Sequence, residues 1–333
     1  MNLYTTLQRL CQCPSISGRE DNVRGLLSEL ILPFADEVRV DALGNLIAKK
    51  KGTGDGESIM LCAHMDEIGF LVNFIEDSGM LRVATVGGIG MAASVFSEVV
   101  SEKGVCGVLV PNADTKPADY KADKIYIDIG ARSKKEAERR VSIGDFFTQK
   151  GGVIRLMGKR VAGRPLDDRI GCAVLLDIAE RLSALTLEGD VYYVFSVQEE
   201  VGCRGAMTAA FGISPDYALC FDVTATGDTP TATAMACKLS GGAAVKIKDS
   251  SVICSEEVVT RLCTLAEEKR IAYQREILTF GGTDTSSMQL SGGGCLAGAL
   301  SIPTRYIHSG VETCDLSDAE ACVALAVEFI KEL

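Results

Sequence analysis

The chain has 333 residues, 47% of them apolar and 24% charged, which fits a globular protein with one large core or two. Its net charge of −11 argues against nucleic acid or an anionic membrane surface as a partner, because binding phosphate draws on Lys and Arg. No apolar run reaches the roughly 18 residues that a membrane span needs.

In chain order, the first clear helix is predicted over 17–32. Ser17 and Glu20 fit a capping box, and Val23, Leu26, Leu27, Leu30 and Ile31 recur at helical spacing. "VRVDALGNLIAKK" reads as a hairpin turning near Gly44 and Asn45. "SIMLCA" (58–63) is short, apolar and bounded by "GTGDGE", as a buried strand would be. From about 68 to 160 the character changes to short β-like runs separated by turn residues, which predicts a small all-β unit. From 165 helix and strand alternate: a helix over 168–184, apolar strands "VYYVFSV" (191–197) and "YALCFDV" (217–223), a helix near 255–270 and a strand near 296–302. A last helix starts at Ser317, with Ser317 and Glu320 as a second capping box. An α/β domain therefore starts before residue 64, breaks off, and resumes near 165, with an all-β domain inserted between.

The thirteen cysteines are odd in number, sit mostly in apolar runs and form no C-x-x-C pair. Reduced, buried thiols in a cytoplasmic protein are expected, and "MNLYTTLQRLCQCPSISGRE" carries no unbroken apolar leader.

Acids and both histidines of the chain gather where predicted strands and helices end, which is where open α/β sheets place their sites. His64 and Asp66 follow "SIMLCA"; Asp167 and Asp168 open a helix in "GRPLDDRIG"; Glu199 and Glu200 end "VYYVFSVQEE"; Asp222 ends "YALCFD"; His308 follows "GALSIPTRYI". Taken singly, an Asp pair at a helix start is a cap and a Glu pair after a strand is a turn. Five boundaries supplying imidazoles and carboxylates together point to divalent metal in an open, catalytic site. Two ions require a bridging carboxylate and terminal ligands on each, and this set is large enough. The carboxylate of Asp66 is placed to accept the second ring N–H of His64. Of Glu199 and Glu200, one can bind metal while the other takes a proton from the attacking water; the residue types alone do not divide those roles.

Six ordered motifs, "AHMDEIGF", "GRPLDDRIG", "VQEEVGCRGA", "FDVT", "GGTDTSS" and "TRYIHS", resemble the glutamyl aminopeptidase or "cellulase M" family, which includes the tetrahedral TET peptidases. The resemblance spans nearly the whole chain. It implies a mixed-sheet α/β metallopeptidase domain (1–67 and 161–333) of the phosphorylase/hydrolase-like kind, carrying an inserted PDZ-like all-β dimerisation domain (68–160). It further implies two divalent ions, zinc, cobalt or manganese. Asp167 would bridge them, His64 and Asp222 would complete one site, and Glu200 and His308 the other. Glu199 becomes the general base and Asp66 the partner of His64. The implied activity is removal of the N-terminal residue from peptides, by dimers that in the family often build dodecamers. The glycine-rich "TFGGTDTSSMQLSGGG" is expected to line the substrate pocket through Gly281, Gly282, Thr283 and Asp284. A related two-metal deacylase or carboxypeptidase, or an inactive binding module, are the other readings. Acidic, basic and neutral N-terminal residues all stay open as substrates.

Overall fold

"IMLCAH" forms the strand Ile59–His64, and every residue of it is buried. Ile59, Leu61 and Ala63 face one apolar layer, while Met60 and Cys62 face another. Alternate side chains point to opposite faces of a strand, so a strand covered on both sides reads as a continuous apolar run. The protein is described by a computed structural model covering residues 1–54 and 56–333, in which this strand lies inside an 11-stranded mixed sheet. Val191–Ser196, Ile59–His64, Tyr217–Thr224 and Leu296–Arg305 run parallel to one another in that order. Antiparallel strands flank them: Leu46–Lys50 and Glu37–Val40 on one edge, then Glu312–Asp315, Arg160–Arg164 and Gly152–Arg155 on the other. Ala243–Lys248 branches from Leu296–Arg305 and carries Tyr273–Ile277.

Helices Arg169–Leu182, Leu316–Ile330 and Glu256–Lys269, with the two N-terminal helices, pack on one face of the sheet. Arg204–Ile213 and Thr285–Gln289 cover the other face, where Ala206, Ala209 and Ala210 allow close approach. Among the described residues no helix is long and apolar enough to cross a membrane. All the cysteines are free, and most are buried.

Six short strands, from Gly69–Ile75 to Phe146–Gln149, close into a separate barrel around Phe70, Val83, Leu109, Ile127 and Phe147. The barrel strands run from residue 69 to residue 149, short of the expected end at 160. Gly152–Arg155 pairs with Arg160–Arg164 in the large sheet and not in the barrel. "GVIRLMGKRVAG" has strand character either way, and strand propensity does not say which sheet a strand joins.

Both predicted capping boxes are corrected. The helix over Asp21–Ile31 begins four residues after Ser17, with Glu20 at its cap position and no side-chain cap. The last helix is capped by Asp315, whose carboxylate accepts from the Ser317 N–H at 3.0 Å. In each case a nearby carboxylate out-competes the motif: the Ser17 hydroxyl donates to Asp66 Oδ2 at 2.6 Å.

Where the chain leaves the sheet for the barrel, buried Glu67 lies between two buried arginines, 3.5 Å from Arg164 Nη2 and 3.6 Å from Arg169 Nη2. Glu67 also accepts from the Ser15 N–H, and Arg169 Nη1 donates to the Leu10 and Cys13 carbonyls. Burial pushes the Glu67 carboxyl up, and the two guanidiniums oppose that. Removing one member of a buried ionic set leaves the others uncompensated. Glu67→Ala is therefore expected to destabilise the fold by about 3–5 kcal/mol, read as a lower midpoint in chemical denaturation.

Candidate metal centre

The parallel strands deliver the candidate ligands to one edge. His64 ends its strand beside Ser196, the last residue of Val191–Ser196. Asp222 sits near the end of Tyr217–Thr224, opposite Ser301. Glu199 and Glu200 follow once the chain has turned at Gln198, which has a φ of 57°. His308 follows Leu296–Arg305 and is itself left-handed, at 61°. Non-glycine residues rarely adopt positive φ, and several of them at one edge mark a place where geometry is imposed by the surroundings.

Asp167 and Asp168 part company here. Asp168 caps the helix Arg169–Leu182, its Oδ1 accepting from the Gly171 N–H at 3.0 Å. Gly171 is needed there, since a Cβ would lie 2.3 Å from the Asp168 carboxylate. Asp167 faces the histidines: its Oδ1 is 3.0 Å from His64 Nε2 and its Oδ2 is 3.2 Å from His308 Nε2. Asp222 Oδ1 is 3.9 Å from His64 Nε2, and Glu200 Oε1 is 3.3 Å from His308 Nε2. Two trios result, His64–Asp167–Asp222 and Asp167–Glu200–His308, each with ligand atoms within 4.8 Å of one another. Asp167 belongs to both.

Glu199 stands outside both trios. Cys203 Sγ donates to its Oε1 at 3.2 Å, and Glu199, Cys203 and Asp284 form a third cluster. Burial pushes the Glu199 carboxyl well above the usual range, with neighbouring Asp222 and Asp284 adding to the push and His64 opposing it.

Asp66 is fully buried and does more than face the imidazole. Its Oδ1 accepts from the Glu199 N–H at 3.0 Å, and its Oδ2 accepts from Ser17 and, at 3.3 Å, from the Glu200 N–H. His64 Nδ1 is 3.1 Å from the Asp66 carbonyl oxygen and 3.5 Å from Oδ1, so the main chain is the nearer acceptor. Sequence reasoning missed Ser17, and it also missed Glu312. The buried Glu312 accepts from the Leu166, Asp167 and His308 N–H groups, at 2.6, 3.2 and 2.9 Å, and so fixes two opposed ligands at once. Ser17 carries only a helix-cap signal in the sequence, and Glu312 carries none. Gly88, from the barrel side of the chain, accepts from the His308 ring through its carbonyl at 2.7 Å.

The donor set suits a divalent cation. Asp66, Asp167, Asp168, Asp222 and Asp284 are buried, and none of them, nor Glu199 or Glu200, pairs with a Lys or Arg among the described residues. Such a concentration of carboxylates out of water is tolerable only with positive charge beside it. The imidazoles show the same demand: burial disfavours a charged His308, yet Asp167 and Glu200 raise its pKa to about 11. Oxygen and imidazole donors without thiolates fit zinc, cobalt or manganese.

The model of the M42 glutamyl aminopeptidase family matches residues 44–325. The chain belongs to that family. It is thereby a peptidase of the aminopeptidase class. A protein of Acetivibrio thermocellus, provisionally named an aminopeptidase, is 45% identical over 332 residues, covering 99% of this chain and 98% of the relative. The solved aminopeptidase APDkam598 of Desulfurococcus kamchatkensis superposes with a TM-score of 0.95 at 37% identity, over 99% of this chain and 95% of that one. The TET1 peptidase of Pyrococcus horikoshii, described as assembling into a tetrahedron or a large octahedral shell, matches with a TM-score of 0.90 at 37% identity over the whole of both chains.

In this M42 chain a cavity of about 870 Å³ opens over the cluster. His64, Asp167, Glu199, Glu200, Asp222 and His308 all reach it. Of the residues expected from the glycine-rich loop, Gly281 and Gly282 line it. Thr283 and Asp284 do not. Thr283 is buried against Asp249 and Thr285, and Asp284 accepts from Ser196 Oγ at 2.5 Å beneath the sheet edge. The sequence pattern identifies a loop at the pocket but not which residues turn inward.

Proposed function

We propose that the chain is a metal-dependent aminopeptidase that removes the N-terminal residue of peptides, using two divalent ions held at this centre. The observation that supports this most is the Asp167 carboxylate, which offers one oxygen toward His64 and the other toward His308. Asp167 would be shared between the two ions, with His64 and Asp222 holding one and Glu200 and His308 the other. When bound, such ions polarise the scissile carbonyl and lower the pKa of water. Glu199, free of both trios, is the general base: it takes the proton of the attacking water and delivers it to the leaving amine. Asp66 sets the position of that base through the Glu199 N–H while orienting His64. The surplus of carboxylates attracts the charged α-amino group of a free N-terminus, which favours exopeptidase over endopeptidase action.

In this reading the barrel over residues 69–149 is the PDZ-like unit through which chains pair. Phe96, 73% exposed, and Val108, 42% exposed, give it an apolar outer surface that self-association would cover. The assemblies described for the TET1 relative support a dimer that builds further.

The test uses chelator-stripped protein assayed on leucine, glutamate and lysine p-nitroanilides and on their N-acetylated counterparts, with and without added Zn²⁺, Co²⁺ or Mn²⁺. Metal-dependent cleavage confined to free amino termini is expected. Preferential cleavage of the N-acylated series would replace this reading with a deacylase.

A further inference from the structure

The cavity has two chemically different parts. One is the carboxylate and imidazole cluster. The other is walled by Val223, Thr224, Leu278, Phe280, Tyr306 and Ile307, which are apolar or carry only hydroxyls. Leu278 is buried in that wall, while Phe280 and Tyr306 stand about half exposed. Among the described lining residues, Arg305 is the one Lys or Arg, and the carboxylates are those of the cluster itself.

Arg305 is not free to meet a substrate charge. Its Nε donates to Asp228 Oδ1 at 3.0 Å and its Nη2 to Asp228 Oδ2 at 2.6 Å. This is the bidentate arrangement in which Arg–carboxylate pairs are strongest. The Asp228 carboxylate is anchored from a second side by the Leu239 N–H at 3.1 Å. Asp228 does not line the cavity. The cavity thus presents a guanidinium whose charge is already answered from behind.

We propose that this cavity selects peptides whose N-terminal side chain is uncharged and apolar, and that the Arg305–Asp228 pair is what excludes acidic ones. An ionised side chain entering it leaves water without gaining a partner, which is costly, whereas an apolar one gains contact with Leu278, Phe280 and Ile307. A lysine finds no carboxylate outside the cluster that the catalytic reading already uses. The inference rests on that reading, since it assigns the apolar part of the cavity to the residue being removed.

Metal-loaded wild-type protein, assayed on leucine, methionine, phenylalanine, glutamate, aspartate and lysine p-nitroanilides, is expected to show kcat/KM for the best apolar substrate at least about 30-fold above glutamate and lysine. Asp228→Asn keeps the shape of the pair but removes its negative charge. It is expected to raise the glutamate-to-leucine ratio of kcat/KM at least about 10-fold. General damage to the pocket lowers both rates and does not produce that gain. Glutamate or lysine cleaved ahead of every apolar substrate would overturn the inference and leave the aminopeptidase reading standing. An unchanged ratio in folded Asp228→Asn would overturn the role of the pair. Failure to cleave any aminoacyl substrate overturns both readings together.

Discussion

Glu199→Gln is expected to lower kcat by about 10²–10⁴-fold while leaving KM and bound metal near wild-type values. The substitution keeps the size of the side chain and the position of its backbone, which is held by the Asp66 carboxylate through the Glu199 N–H. The amide oxygen still accepts from Cys203 Sγ. What disappears is the group that takes the water's proton and returns it to the leaving amine. Because Glu199 lies outside both histidine-centred trios, its loss spares the ligands. Steady-state kinetics beside elemental metal analysis check the two halves of the prediction. Retained turnover removes Glu199 from the mechanism, and lost metal would make it a ligand instead.

Asp167→Asn should act differently, taking metal and activity together. Asp167 is the residue common to both trios, and each of its oxygens faces a different histidine. An amide offers one oxygen where a carboxylate offers two, and it removes a negative charge from the shared position. Loss of a group that merely supports a ligand costs about 10–100-fold in metal affinity or activity, and loss of the shared ligand should exceed that. Metal content below one ion per chain and kcat/KM down by more than about 10²-fold are expected. Unaltered metal content with full activity would show that the two ions do not share Asp167. The two variants separate a base from a bridge: one protein keeps its metal and loses chemistry, the other loses both.

What the sequence made legible follows from which signals are local. His64 and Asp222 could be placed because each lies at or near the end of a strand buried on both faces, and such strands read as apolar runs that give way to a polar residue. The pairing of the strands that brings them side by side is not local, and only the resemblance to a family groups the two residues in advance. Glu67 directly follows Asp66 and looks like part of the same cluster, yet it faces two buried arginines more than ninety positions along the chain. Ser17 fits a helix cap by spacing, but a carboxylate that is distant in sequence and near in space takes its hydroxyl. Glu312 gave no signal at all, because its role is to accept three backbone N–H groups whose direction depends on the finished fold. The strand Gly152–Arg155 was recognisable as a strand but was assigned to the wrong sheet for the same reason.

Anomalous diffraction from crystals grown with Zn²⁺ or Co²⁺ tests most directly whether two ions share the Asp167 carboxylate. Two peaks flanking the Asp167 carboxylate are expected, one beside His64 and Asp222 and the other beside Glu200 and His308, with Glu199 bound to neither. A single peak, or two peaks without Asp167 between them, would contradict this arrangement.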